Sequence, residues 1–391
     1  MVHAPPFPPR HHPHHTAVPP LHPAPTGRRR TRPPRSVPAP QARTDCRRIH
    51  SPADDRPATA PGDHAEGVSS IDQGPPHRRM LLAALTAGPF GLFSTADALA
   101  IGLTHETLRT LTRSGVIVRV THGLYAPRDP ALTRTELHRR HAAAVLRRIP
   151  HAVLSHHSAL IAADLPAFAI EHDTVHLTHR TSPSNRRRAG CVIPRADHTV
   201  DRLGVDATSV AVADAVLSVG LANPLSTLVA ADAAVRAGMV TLADLSDTAR
   251  RYTAHPGRAP MTAILDHVDP SAESPAESLA RYALTRLGHN VIPQVPIATE
   301  GRRYRVDLMI GRLVVEVDGM RKYLPAVRGA DDPRTVEDVV CAEKAREAAI
   351  VRAGHPVLRL TWGDIVTAGG DIRYGTVGRM LSVLLERAPA A

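Results

Sequence analysis

Lysine is almost missing from this 391-residue chain: of its 48 basic residues only Lys322 and Lys344 are lysine, and all the others are arginine. Arginine stays charged, whereas the compact lysine ammonium can have its pKa lowered for chemistry, so that option exists at two positions only. Aromatic residues are scarce at 3%, and packed cores have to come from the aliphatic part of the 43% apolar content. The three cysteines, Cys46, Cys191 and Cys341, are odd in number, far apart and in no zinc-binding spacing. That excludes a disulfide framework and makes a reduced cytoplasm the simplest compartment. No run of 18 or more apolar residues occurs, so neither a membrane span nor a membrane partner is expected. The N-terminus has no apolar core of the kind a secretory signal needs.

What is abundant is positive charge. The formal net charge is +11 and the isoelectric point is near 10.4. This balance favours a polyanionic partner such as DNA or RNA, although part of the excess sits in the first 76 residues. Residues 1–76 hold half of the 36 prolines together with His, Arg and Ala. They have too little apolar surface to offset the entropy of ordering and read as a disordered tail. A translation start near Val68 or Met80 is the other reading of this stretch. Its Arg28-Arg29-Arg30-Thr31-Arg32 run is suited to phosphates.

The length suggests two or three domains, and the pattern is α+β and multidomain. Over 77–130, a helix from Met80 to Leu85 stops at Gly88-Pro89. Ser94 caps a helix at Thr95–Ala100, and Thr104 caps another at His105–Ser114 with Leu108 and Leu111 inward. A hairpin over 116–127 then turns at His122-Gly123. Three helices and a hairpin are the order of a winged helix-turn-helix. Residues 131–268 read as mostly helical, with helices at 134–148, 208–219, 225–237 and 242–252. Short strands fall at 174–178 and 191–193, and the loop between them holds Arg186, Arg187 and Arg188. The histidines His156, His157 and His176, with Asp173, are metal-binding residue types, but scattered histidines are usually packing or surface groups.

In 270–391, Ser274 opens a helix that ends before Gly288, with Glu277 at capping-box spacing and Pro275 at its first position. Strands come next at 291–297, 303–310 and 312–318, then a helix at 334–353, a strand at 357–361 and a helix from Gly375 to Arg387. The order αβββαβα suggests a small mixed sheet flanked by helices. Gly311-Arg312 fits a two-residue type II′ turn that pairs Ile310 with Leu313 and hence Asp307 with Glu316. On one sheet face their Cβ atoms are about 4.5–5.5 Å apart, and Asp318 is next on that face. Like charges placed so are destabilising, and a hard cation such as Mg²⁺ (or Mn²⁺) neutralises them. A metal so held lowers the pKa of bound water and stabilises phosphate charge, with a lysine to orient the water. An acidic face solvated or paired with Arg305 is the alternative. Helical projection of 334–353 puts Glu343 and Glu347 on the stripe of Ile350, with Lys344 at its edge.

Two resemblances stand on these residues. Residues 80–127, with their helix pattern and Arg119-Val120-Thr121-His122-Gly123-Leu124-Tyr125-Ala126-Pro127, resemble the DNA-binding domain of AbiEi-family antitoxins of type IV toxin–antitoxin systems. This implies a recognition helix from His105 that exposes Glu106, Arg109, Thr110 and Arg113, with Arg119 and His122 of the wing on the DNA backbone. It also implies a cognate toxin as partner. The middle segment resembles the region C-terminal to this domain in relatives and implies no catalytic role.

Residues 273–366 resemble PD-(D/E)xK nucleases, in particular domains related to very-short-patch-repair endonucleases. The resemblance rests on Glu277-Ser278, Arg305-Val306-Asp307-Leu308, Val315-Glu316-Val317-Asp318-Gly319 with Lys322-Tyr323, Ala342-Glu343-Lys344-Ala345-Arg346 and Val357-Leu358-Arg359-Leu360-Thr361-Trp362. It implies a restriction-endonuclease-like fold that hydrolyses phosphodiester bonds. Asp307 and Glu316 would be metal ligands, with Asp318, Glu277 and Glu343 assisting. The superfamily's lysine falls at position 318, where this chain has Asp, so Lys322 or Lys344 has to reach the site from elsewhere. Otherwise the domain has lost its chemistry. No small-molecule cofactor is expected.

Overall fold

The computed structural model describes residues 85–149, 151–179, 184–188, 190–194, 208–253, 255–318 and 336–385, together with Ala83. The side chains at 188, 336, 337, 339 and 340 stand outside that description. The tail 1–76, Lys322 and most of the helix expected from Met80 lie outside the described residues. The described residues form a mixed α/β fold, with helices and three small sheets.

The first sheet has the order β1-β3-β2, with β1 Phe93–Ser94, β2 Ile117–Thr121 and β3 Leu124–Pro127. Between β1 and β2 run α1 Thr95–Ala100 and α2 His105–Arg113. Ser94 starts α1 with a full capping box, its hydroxyl accepting from Asp97 N at 3.0 Å while its own N donates to Asp97 Oδ2 at 2.7 Å. Gly123 closes the hairpin at φ 73°, a conformation glycine takes without a Cβ penalty. Phe93, Leu108, Leu111 and Ile117 make the core of this part.

The second sheet, β4-β5-β7-β6, comprises β4 Ala152–Leu154, β5 Val175–His179, β6 Arg186–Arg188 and β7 Cys191–Ile193. It is preceded by α3 Arg134–Leu146 and interrupted by α4 His156–Ala162. The Arg186–Arg188 segment, expected as a loop, is thus the edge strand β6, paired antiparallel with β7. The helix expected from Thr208 begins at Val212, as α5 Val212–Gly220. Residues 208–210 are extended because Leu154 N donates to Thr208 O and Val210 N donates to Leu154 O. Helices α6 Pro224–Arg236, α7 Leu242–Ala249 and α8 Arg258–Ala263 complete this part.

The third sheet has the order β11-β10-β9-β8. Helix α9 Pro275–Arg286 leads into β8 Ile292–Thr299, β9 Arg302–Ile310 and β10 Leu313–Asp318. Then come α10 Val336–Arg352, β11 Val357–Thr361, the one-turn α11 Trp362–Ile365 and α12 Tyr374–Leu385. The β9–β10 register pairs Ile310 with Leu313, and Gly311 takes φ 57° at the turn. Leu313, Val315 and Val317 pack with α9 and α12, while Val314 packs with Ile350 of α10 on the other face. Val306 also joins the Ile350 cluster, whereas Leu308, two residues on, packs with the α9–α12 cluster. Gln294 of β8, which lies between the partners of Leu308 and Val306, has φ 54° and is unpaired in the ladder.

Candidate nucleic-acid interface and acidic hairpin

Helix α2 starts at Thr104, whose hydroxyl accepts from Thr107 N at 3.1 Å. Burial of Leu108 and Leu111 on one side leaves Glu106, Arg109, Thr110 and Arg113 exposed on the other. Arg109 is 3.3 Å from Glu106, but both side chains are about two-thirds exposed or more, and such pairs hold little energy. On the hairpin, Arg119 donates from Nη2 to Nδ1 of His122 at 2.7 Å, which assigns the His122 ring proton to Nε2. Arg109, Arg113 and Arg119 line one open hollow of about 340 Å³ with Thr112 and Tyr125. No carboxylate of the described residues lines it.

The acidic hairpin is held in a different way from the one expected. Glu316 is almost completely buried, and its Oε1 accepts from Arg346 Nη2 at 2.9 Å. Burial pushes the Glu316 carboxyl above its usual range, and the neighbouring Asp307 charge adds to this, while Arg346 pulls the other way. Arg346 also donates to the Arg305 carbonyl at 2.7 Å and to Glu343 Oε1 at 3.3 Å. The Asp307 carboxylate turns back onto the backbone, accepting from Val317 N at 2.8 Å. Arg305, named in the alternative to a cation on this face, pairs with Glu273 at 2.7 Å.

Glu277 is buried at the start of α9. Its N donates to Ser274 Oγ at 3.2 Å, but its carboxylate accepts from Glu273 N and Gln294 Nε2, both at 2.9 Å. The reciprocal half of the capping box, from Ser274 N to the Glu277 carboxylate, is absent. Burial raises the Glu277 carboxyl too, with Asp307 and Glu273 adding repulsion. Asp307 thus lies electrostatically between Glu277 and Glu316.

Arg359 of β11 ties together the remaining acids, bonding Glu343 at 3.0 Å and Glu347 at 2.8 Å and lying 3.9 Å from Asp318. Lys344 is exposed, and no hydrogen bond or ion pair among the described residues reaches it. Among the described residues no group of three His, Cys, Asp or Glu is placed to hold a metal ion. Arg346 and Arg359 carry this site and were not singled out from sequence. The available signal was their spacing, Arg346 one turn after Glu343 and Arg359 opposite Glu316 in the parallel register.

The histidines of the middle part are packing groups. Ser158 Oγ bonds His138 Nε2 at 2.9 Å and accepts from His176 N at 2.8 Å, and His157 Nε2 donates to the Thr174 carbonyl at 2.9 Å. Burial lowers the His157 pKa to about 3 and that of His176 to about 4, with neighbouring imidazoles adding to the effect. Asp173 is exposed.

An exposed helix beside a hairpin, with arginines on both and no acid in the hollow between them, is a surface suited to a polyanion. Residues 80–128, which hold it, match the family model described as transcriptional regulator, AbiEi antitoxin. No curated relative matches the chain. No helix among the described residues is long and apolar enough to cross a membrane.

Proposed function

We propose that the chain is a DNA-binding transcriptional regulator of antitoxin type, with a toxin as its cognate partner. In this reading 80–128 form a winged helix-turn-helix, with α2 presented to the major groove and β2–β3 as the wing. Arg109 and Arg113 read guanine edges or grip phosphate, while Arg119 and His122 hold the backbone. The observation that carries this is the burial of Leu108 and Leu111, which turns Arg109 and Arg113 outward into the hollow shared with Arg119, inside the matched segment. A gel shift on a duplex from the protein's own promoter tests it. Replacing Arg109 and Arg113 together by Ala should abolish the shift, and undiminished binding would move recognition elsewhere.

The C-terminal part supports a scaffold role, with its acids clamped by Arg346 and Arg359. A second reading, a Mg²⁺- or Mn²⁺-dependent phosphodiesterase, is favoured by one observation. Glu277 and Glu316 both have raised proton affinity next to Asp307. The donors are hard oxygens of the right kind for such a cation. As arranged they do not fit one, because Arg346 takes the Glu316 oxygen and Val317 N takes Asp307. Plasmid cleavage in Mg²⁺ by wild type and Asp307→Ala separates the readings. Cleavage lost in the variant establishes the enzyme, and equal or no cleavage in both leaves the scaffold. A cation site should also raise the unfolding temperature in Mg²⁺ or Mn²⁺, whereas the clamped scaffold predicts no gain.

A further inference from the structure

Arg119 lines a second hollow, of about 480 Å³, on the other side of the hairpin. There it is joined by His122, by His141 and Arg148 from the region of α3, and by Gly190 and Cys191 at the start of β7. No carboxylate of the described residues lines this hollow either. The side chain of Arg119 therefore links two acid-free hollows into one basic track, from Arg109 and Arg113 on α2 to Arg148 beyond α3.

The wall is fixed in place. Arg140, nearly buried, donates to the Pro127 carbonyl at 2.8 Å, and Arg147 donates to the Leu92 carbonyl at 3.0 Å. Leu92, Leu124, Ala126 and Ala144 make a small core between hairpin and helix. The Arg148 side chain is exposed, and its one hydrogen bond among the described residues is a long one, 3.4 Å to Thr121 Oγ1. Most of its five N–H donors are thus available to a ligand. Burial pushes the His141 pKa below its usual value, so the fixed positive charge here comes from arginine. Gly190, at φ 76°, lies against His141, and a Cβ there would come within 2.5 Å of the ring.

We propose that this hollow is a phosphate-binding site for duplex DNA, in which Arg148 contacts a backbone phosphate beyond the segment held by α2. The proposal rests on the DNA-binding reading above. It assigns part of the interface to the middle part of the chain, outside residues 80–128. A phosphate contact acts on every sequence alike and contributes about one unit to the slope of log affinity against log salt.

The test uses the full chain and fluorescence anisotropy on the promoter duplex and a scrambled duplex over a salt series. Arg148→Ala should weaken both by a similar factor, several-fold, and reduce the salt slope by about 1. Arg148→Lys should keep the slope, and neither variant should shift the unfolding midpoint, since the side chain is exposed. Unchanged affinity and slope in Arg148→Ala overturns the site. A loss confined to the promoter duplex also overturns it, because that is base reading. If wild type binds and the Arg109/Arg113 variant does not, an unaffected Arg148→Ala sinks this inference alone. A wild type that binds neither duplex sinks both.

Discussion

Arg346 replaces the cation that the acidic hairpin calls for. Paired carboxylates on a sheet face repel, and a buried one such as Glu316 needs a partner of opposite charge and good geometry. Arg346 meets this need with a planar guanidinium shared between Glu316, Glu343 and the Arg305 carbonyl. Removing it strands a buried charge, so Arg346→Ala is expected to lose about 3 kcal/mol of stability at pH 7. The folded-state pKa of Glu316 is raised, so its proton is bound more tightly in the folded chain. Acidification therefore stabilises the folded form through this group, and the variant's deficit should shrink as the pH falls toward about 5. Urea unfolding at the two pH values checks this, and a pH-independent loss would count against the clamp. Lys344→Ala should leave stability within about 0.5 kcal/mol of wild type, as expected of an exposed side chain with no partner among the described residues.

At the scale of elements, the strongest tie lies between α6 and α9. Asp232 and Arg281 pair at 3.0 Å with side chains 1% and 8% exposed, and Asp232 also accepts from Asp269 N at 2.8 Å. Asp232→Ala leaves Arg281 charged in the interior and is expected to destabilise by about 3–5 kcal/mol, read as a fall in the denaturant midpoint. Elements with chemical punctuation were legible in sequence. Ser94, Thr104 and Ser274 stand where their helices begin, and the Gly311 turn sets the β9–β10 register from Ile310–Leu313 to Leu308–Val315, short of the Asp307–Glu316 pair expected next. Strand β6 was not legible, because an edge strand of three arginines shows no alternation of buried and exposed positions. The same limit applied to the acidic site. Register placed Asp307 near Glu316, but only the packing of α10 on the sheet shows that arginine, and not lysine, fills the gap.

On the scale of the whole molecule, 24 histidines and a net charge of +11 shape its response to solution conditions. His157 and His176 are held neutral in the fold, at pKa values of about 3 and about 4. Their folded pKa values lie below the ordinary value, so the unfolded chain takes up protons first as the pH drops. Stability is full above about pH 7 and declines from about pH 6.5 downward. Each should contribute a loss of about 2 kcal/mol between pH 7 and pH 5, and His157→Gln should flatten the profile in a pH series of urea unfolding curves. Positive charge has the complementary effect on binding. A polyanion neutralises it, and the arginines of α2 and the hairpin are placed to do so in a defined orientation. The most direct test is equilibrium binding of the full chain to its own promoter duplex, compared with the Arg109→Ala/Arg113→Ala variant at one moderate salt concentration. A regulator reading DNA through α2 predicts tight binding by wild type and a loss of about a hundredfold or more in the variant, from two side chains worth about 1–3 kcal/mol each. Equal affinity in the two proteins, or no binding by wild type, would contradict it.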